Sequence, residues 1–122
     1  MVILFTMVFL HIFADYNLQG CLSNMKQKDW WTSKGLDGMY KYDYIVCLLT
    51  HAFMWAFVVF MPLLFLMQKP VSHTEFCIVF LLNILAHAYI DHLKANKKCI
   101  NLITDQAAHL LQIFITYMLL YL

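Results

Sequence analysis

Charged residues are scarce in this chain, and their scarcity excludes most soluble proteins. Only 12% of its 122 residues are charged and 63% are hydrophobic, whereas about a quarter of the residues of a soluble domain are charged. Arginine is absent, so lysine and histidine are the only basic side chains. The net charge of +1 indicates no particular charged partner, and we expect no nucleic-acid ligand.

Closely spaced cysteines and the sequence pattern of a cleavable leader are also lacking. Cys21, Cys47, Cys77 and Cys99 form no closely spaced pair, and Cys21 and Cys99 fall in loops assigned below to the reducing cytosol, so we expect no structural disulfide. Residues 1–10 contain no basic residue and precede no small-residue cleavage site. We therefore expect a retained span, with which a signal-anchor is also compatible, rather than a removed secretory signal.

Long hydrophobic runs are abundant instead. Four of them, at about 1–19, 43–67, 74–93 and 104–122, are each about 20 residues long, enough to cross a hydrocarbon core of about 30 Å. They leave little chain for a soluble domain. We therefore predict a single all-α domain over residues 1–122, an integral membrane four-helix bundle with a long, basic and aromatic first loop.

The lysines are distributed unevenly among the loops. Seven of the eight flank the first and third loops, and only Lys69 lies in the second. The positive-inside rule therefore predicts that loops one and three are cytoplasmic and that both termini lie outside. Loop one, about 20–42, also carries Trp30, Trp31 and Tyr40, which suit the headgroup zone. We expect a short interfacial helix in part of it.

Each predicted span carries a histidine at about the same depth. At 1.5 Å per residue, the four lie about 8–12 Å inside the cytoplasmic boundary; they are His11, His51, His87 and His109. Three have an aspartate four residues away on the same helix face, namely Asp15, Asp91 and Asp105. The order of His and Asp alternates with helix direction, so each aspartate should lie one turn nearer the cytoplasm.

Imidazoles and carboxylates that converge in an apolar bundle are typical ligands of a transition metal. We predict that all seven of these side chains bind metal. One ion cannot use seven ligands, but two ions could, with one aspartate bridging and one position open for water. Zinc suits such a nitrogen and oxygen site best, and iron and manganese stay open. The competing explanation is that each histidine only hydrogen-bonds a neighbouring helix, but four at one depth favour a functional site.

Blocks of these residues resemble domain of unknown function 3307, a family of small multi-span membrane proteins of bacteria and their phages. The blocks cover nearly the whole chain in order: His11-x-x-x-Asp15-Tyr16-x-Leu18-Gln19, His51, His87-x-x-x-Asp91-x-x-Lys94 and Asp105-Gln106-x-x-His109. The resemblance adds Gln19, Lys94 and Gln106 to the predicted site and implies no established activity. It also implies that the membrane is the inner membrane of a bacterium. The layout is also loosely similar to that of membrane-bound metal-dependent hydrolases.

Three functions fit these patterns, and the first is a membrane-embedded metal-dependent hydrolase. Metal-bound water would attack a phosphate-containing amphiphile, an unligated aspartate among Asp15, Asp91 and Asp105 would act as base, and Lys94, Gln19 and Gln106 would hold the substrate. Lys94 also has a simpler explanation, since it could extend to the membrane interface.

The second function is a transporter or channel for metal ions or protons. The outer halves of the spans are nearly all apolar, which argues against a continuous pore unless a homo-oligomer supplies one. The third is a small phage or bacterial membrane effector that binds a host protein through loop one. Membrane lipid is an expected partner in all three.

Overall fold

The computed structural model describes residues 1–36, 38–66 and 70–122, and within them every regular element is helical. The predicted all-α class is therefore confirmed for these residues. The four longest helical stretches follow the predicted apolar runs closely: α1 (Val2–Phe13) with a π-helix (Ala14–Leu18) directly after it, α4 (Asp43–Leu66), α5 (His73–Ala95) and α6 (Leu102–Tyr121). Met67, at the predicted end of the second run, and Lys69 lie outside the described residues.

Local signals set the ends of these helices. The Ser72 hydroxyl accepts the backbone N–H of Glu75 at 3.1 Å, and the Glu75 carboxylate accepts that of Ser72 at 3.2 Å. This reciprocal pair begins α5. The Asn101 side chain accepts the Thr104 backbone N–H at 2.9 Å and begins α6. Gly20 has a φ of +49°, a left-handed conformation that lets the chain turn soon after the π-helix.

The four stretches pack in a ring in chain order. Helix α1 contacts α4 and α6, and α5 contacts the same two helices. The half of the ring farther from the first and third loops holds the apolar core, in which Met7, Phe60, Leu63 and Ile113 are at most 1% exposed. Burial of each such side chain stabilises the fold by about 1.5–3 kcal/mol. The other half holds the polar layer described below.

The first loop folds over the polar half as two short helices, α2 (Leu22–Met25) and α3 (Lys28–Ser33). We call residues 22–33 the cap segment. The Asn96 amide, at the end of α5, donates to the Lys26 carbonyl at 3.0 Å and accepts the Lys28 backbone N–H at 2.6 Å. These two bonds fix the main chain beside Lys26 and direct its buried side chain into the polar layer.

An ion pair also joins the cap segment to the third loop. Lys98 Nζ lies 2.6 Å from Asp29 Oδ2, and this hydrogen bond lowers the pKa of the exposed Asp29 carboxyl. Because both groups are well exposed, the pair adds little stability. Lys98 is therefore a suitable exposed control for the lysines that pair with aspartates in the polar layer.

Two helices, α4 and α5, are long and apolar enough to cross a membrane, whereas Val2–Leu18 is a shorter apolar helix. The outward faces of α1, α5 and α6 also carry large apolar side chains: Phe5, Phe9, Leu85, Leu111 and Leu119 are each at least 59% exposed. Soluble monomers rarely expose extended apolar surface of this kind.

Candidate metal centre

All seven predicted ligands come together in the half of the ring beneath the cap segment. Each is at most 8% exposed, and together they derive from all four helical stretches: His11, Asp15, His51, His87, Asp91, Asp105 and His109. The π-helix contributes Asp15, and π-helical turns are frequent at functional sites. The layer is thus an interior cluster of imidazoles and carboxylates.

Two imidazole nitrogens and two carboxylate oxygens lie close to one another in this layer. His51 Nε2 lies 3.2 Å from His87 Nε2, 3.3 Å from Asp91 Oδ2 and 3.5 Å from Asp15 Oδ1. His87 Nε2 lies 3.8 Å from each of the same two carboxylate oxygens. Ligands of a tetrahedral zinc ion with bonds of roughly 2.0–2.2 Å lie roughly 3.3–3.6 Å apart. These five distances, 3.2–3.8 Å, are close to that spacing, and Asp15, His51 and His87 each offer a ligand atom within 4.8 Å of the other two. We call the four atoms the primary cluster.

A second group adjoins the first through Asp91. Its other oxygen, Oδ1, lies 3.3 Å from His109 Nε2, which in turn lies 3.5 Å from Asp105 Oδ1. His87, Asp91 and His109 also each offer a ligand atom within 4.8 Å of the other two. Asp91 thus contacts both groups, so of the three aspartates its carboxylate is best placed to bridge two ions.

Two carboxylate oxygens in the layer lack a hydrogen-bond partner among the described residues. They are Asp15 Oδ1 and Asp105 Oδ1, and both are buried. A buried, unpaired carboxylate oxygen is costly and requires an explanation. Cations bound beside these oxygens and the neighbouring imidazoles would explain why the two oxygens lack a partner.

Stacked rings fix the orientation of the imidazoles. The indole of Trp55 stacks on His87 with ring centroids 4.1 Å apart, and His87 stacks on His109 at 4.2 Å. The Nδ1 atoms of these two histidines have no hydrogen-bond partner within the described residues. Packing, rather than the usual hydrogen bond from the second ring nitrogen, therefore holds the two rings.

His11 has different contacts from the other three histidines. Its Nδ1 accepts the indole N–H of Trp55 at 2.9 Å, and its Nε2 lies 3.2 Å from Gln106 Oε1. Because Nδ1 accepts, the proton belongs on Nε2, which donates to Gln106. Both ring nitrogens are thus used by protein groups. His11 belongs to neither ligand group, and it supports the layer through its hydrogen bonds to Trp55 and Gln106.

The three residues added by the family resemblance all line one polar cavity. This cavity has a volume of about 80 Å³ and adjoins the carboxylates; its walls are Asp15, Tyr16, Gln19, Lys26, Asp91, Lys94, Leu102 and Gln106. Lys94 Nζ lies 2.5 Å from Asp105 Oδ2, which also accepts the Gln106 amide at 3.0 Å. The Gln19 amide donates to the carbonyl of Asp15.

Sequence reasoning missed two members of the site, Lys26 and Trp55. Lys26 is 7% exposed and its Nζ lies 2.6 Å from Asp91 Oδ2. It lies between two short helices in a loop, where no periodicity indicates which way a side chain points. Trp55 lies one turn after His51 on the same face of α4, a spacing that could have revealed it.

Comparison with models of protein families, with curated proteins and with solved structures gave no match to the chain. The resemblance to domain of unknown function 3307 therefore stays a prediction.

Proposed function

We propose that the chain is a membrane-embedded, metal-dependent hydrolase that acts on a phosphate-containing amphiphile. The observation that carries the proposal is the primary cluster, in which two imidazole nitrogens lie 3.3–3.8 Å from two buried carboxylate oxygens, beside a cavity lined by two lysines. Zinc suits the two imidazoles and two carboxylates best. A second ion would use His109 and Oδ1 of Asp91, which would leave Asp105 unligated.

The proposed setting is a four-span bundle in the inner membrane. Helices α4 and α5 are long and apolar enough to cross a membrane. The exposed apolar faces of α1 and α6 support two further spans, since lipid is the solvent in which such faces are stable. The site would then lie in the cytoplasmic half, within reach of lipid headgroups.

The roles of the side chains follow from their contacts. A bound divalent ion would make a coordinated water acidic enough to act as a nucleophile near neutral pH. Asp105 is the best-placed base, because Lys94 and Gln106 hold its Oδ2 while its Oδ1 is free of hydrogen bonds from the described residues. Asp15 and Asp91 hold the metal, and Gln19 lines the cavity that would receive the substrate.

A second candidate function, transport of metal ions or protons, has one observation in its favour. Polar groups continue from His109 into the apolar half between α5 and α6: the Gln112 amide donates to Asn83 Oδ1 at 2.8 Å, and the Thr116 hydroxyl donates to the same oxygen at 3.0 Å. Against this function, the buried core around Phe60 and Leu63 fills that end of the ring. A single access route is sufficient for a hydrolase but not for a transporter.

Purified protein in liposomes separates the two functions. We expect metal-dependent cleavage of a phosphate-containing amphiphile and no flux of zinc, manganese or protons above that of empty vesicles. Asp105→Asn and Asp15→Asn should slow cleavage by roughly 100-fold or more, whereas Asp29→Asn, on the surface of the cap segment, should not. Ion flux that is abolished by Asp15→Asn and Asp105→Asn would establish the transporter instead.

The proposed topology is tested by thiol labelling of single-cysteine variants in intact cells and inverted vesicles. Cys21 and Cys99, both exposed in loops one and three, should react only from the cytoplasmic side. A cysteine introduced as His73→Cys, exposed at the start of α5, should react only from outside. The reverse pattern would place the site in the opposite leaflet.

A further inference from the structure

We propose that Lys26 and Lys94 form a subsite for a phosphate group beside the metal centre, and that metal binding makes this subsite available. The inference rests on the proposed function, because it assigns the group of the substrate that the cavity recognises. The cap segment, rather than a membrane-spanning helix, supplies one of the two ammonium groups.

Both lysines line the same cavity of about 80 Å³. A cavity needs only about 10–15 Å³ to hold one water molecule, so this volume accommodates several waters or one phosphate group. Tyr16, Gln19 and Gln106 complete its polar wall. Two ammonium groups offer up to six N–H donors, which suit the three terminal oxygens of a phosphate monoester better than the two of a carboxylate.

Each lysine is paired with a predicted metal ligand. Lys26 Nζ lies 2.6 Å from Asp91 Oδ2, and Lys94 Nζ lies 2.5 Å from Asp105 Oδ2. Asp91 Oδ2 is also one of the four atoms of the primary cluster. A divalent cation bound to that oxygen would repel the ammonium of Lys26. The flexible lysine side chain can move into the cavity while Asn96 holds its backbone in place.

The charge of the site leads to the same conclusion. Three carboxylates and two ammonium groups leave one net negative charge when the histidines are neutral. One divalent cation reverses the sign, and a second makes the site strongly positive. Uncompensated charge is costly in a buried site. A phosphate monoanion between the two lysines balances the charge left by one bound ion, and a dianion offsets most of the charge left by two, so metal and phosphate should bind cooperatively.

Calorimetric titration of inorganic phosphate into detergent-solubilised protein tests the subsite. With one equivalent of zinc bound, phosphate should bind at least about tenfold more tightly than without zinc. Lys26→Met and Lys94→Met should each remove at least about tenfold of that affinity, since each deletes a charged hydrogen-bond donor. Lys98→Met, the surface control, should bind phosphate like the wild type. Zinc affinity should be retained or raised in Lys26→Met, because the competitor for Asp91 is gone.

A parallel titration with short-chain phosphatidic acid in micelles distinguishes a lipid headgroup from free phosphate. Tighter, lysine-dependent binding of the lipid identifies a membrane substrate, and equal binding identifies a soluble phosphate. Lys94 is 30% exposed, so Lys94→Met keeps the test decisive if Lys26→Met fails to fold. Zinc binding with phosphate affinity unchanged in both variants would overturn the subsite alone. Failure of the wild type to bind zinc, manganese or iron would overturn the proposed function as well.

Discussion

Replacing Asp91 with asparagine should abolish metal binding and destabilise the protein by about 3–5 kcal/mol, the cost of breaking a buried ion pair. Asp91 is 2% exposed and contacts both ligand groups and Lys26. Asparagine keeps the shape but removes the charge, which leaves the Lys26 ammonium buried without its partner. Thermal unfolding in detergent and metal content of the same preparation measure the two effects.

A matched pair of variants isolates the cause of this effect. Asp29→Asn changes an exposed carboxylate of the cap segment and should alter stability by less than about 0.5 kcal/mol. Adding Lys26→Met to Asp91→Asn removes both buried charges, so much of the lost stability should return while metal binding stays absent. Wild-type unfolding temperature and metal content in Asp91→Asn would contradict the role assigned to this residue.

The second large effect separates the histidines from one another. His51→Ala or His87→Ala removes an atom of the primary cluster and should weaken zinc binding by roughly 100-fold or more, since loss of even an outer hydrogen-bond partner costs about 10–100-fold. His109→Ala should lower bound metal through the second group. His11→Gln should cost at most about tenfold, because both of its ring nitrogens serve protein partners.

Zinc titration monitored by calorimetry measures these differences. His73→Ala, at an exposed position at the start of α5, should bind zinc like the wild type and serves as the control. An equal loss of zinc affinity in His11→Gln and His51→Ala would contradict the division of the histidines into ligands and one supporting residue. It would favour the full set of seven ligands.

Much of the polar layer follows from the sequence because helical periodicity fixes which residues share a face. The spacings His87 to Asp91 and Asp105 to His109 place these pairs on one face of α5 and of α6, and span boundaries give a common depth. Periodicity does not determine side-chain rotamers. It therefore could not show that His11 directs its nitrogens to Trp55 and Gln106 rather than to the centre of the cluster.

The cap segment illustrates a second limit. Its course depends on contacts with distant residues, above all the two hydrogen bonds to Asn96. Local propensity indicates at most a short helix in this loop, and it says nothing about where the loop lies. Lys26 consequently looked like one of several lysines on the cytoplasmic side, although tertiary packing makes it a buried partner of Asp91.

The central claim is that these side chains form a metal site, and metal analysis of the purified wild-type protein tests it most directly. Detergent-solubilised protein, supplied with zinc and then freed of excess ion by dialysis, should retain one or two zinc ions per chain. Asp91→Asn treated in the same way should retain none. A wild-type protein that keeps no zinc, and that binds neither manganese nor iron when these are supplied, would contradict the claim.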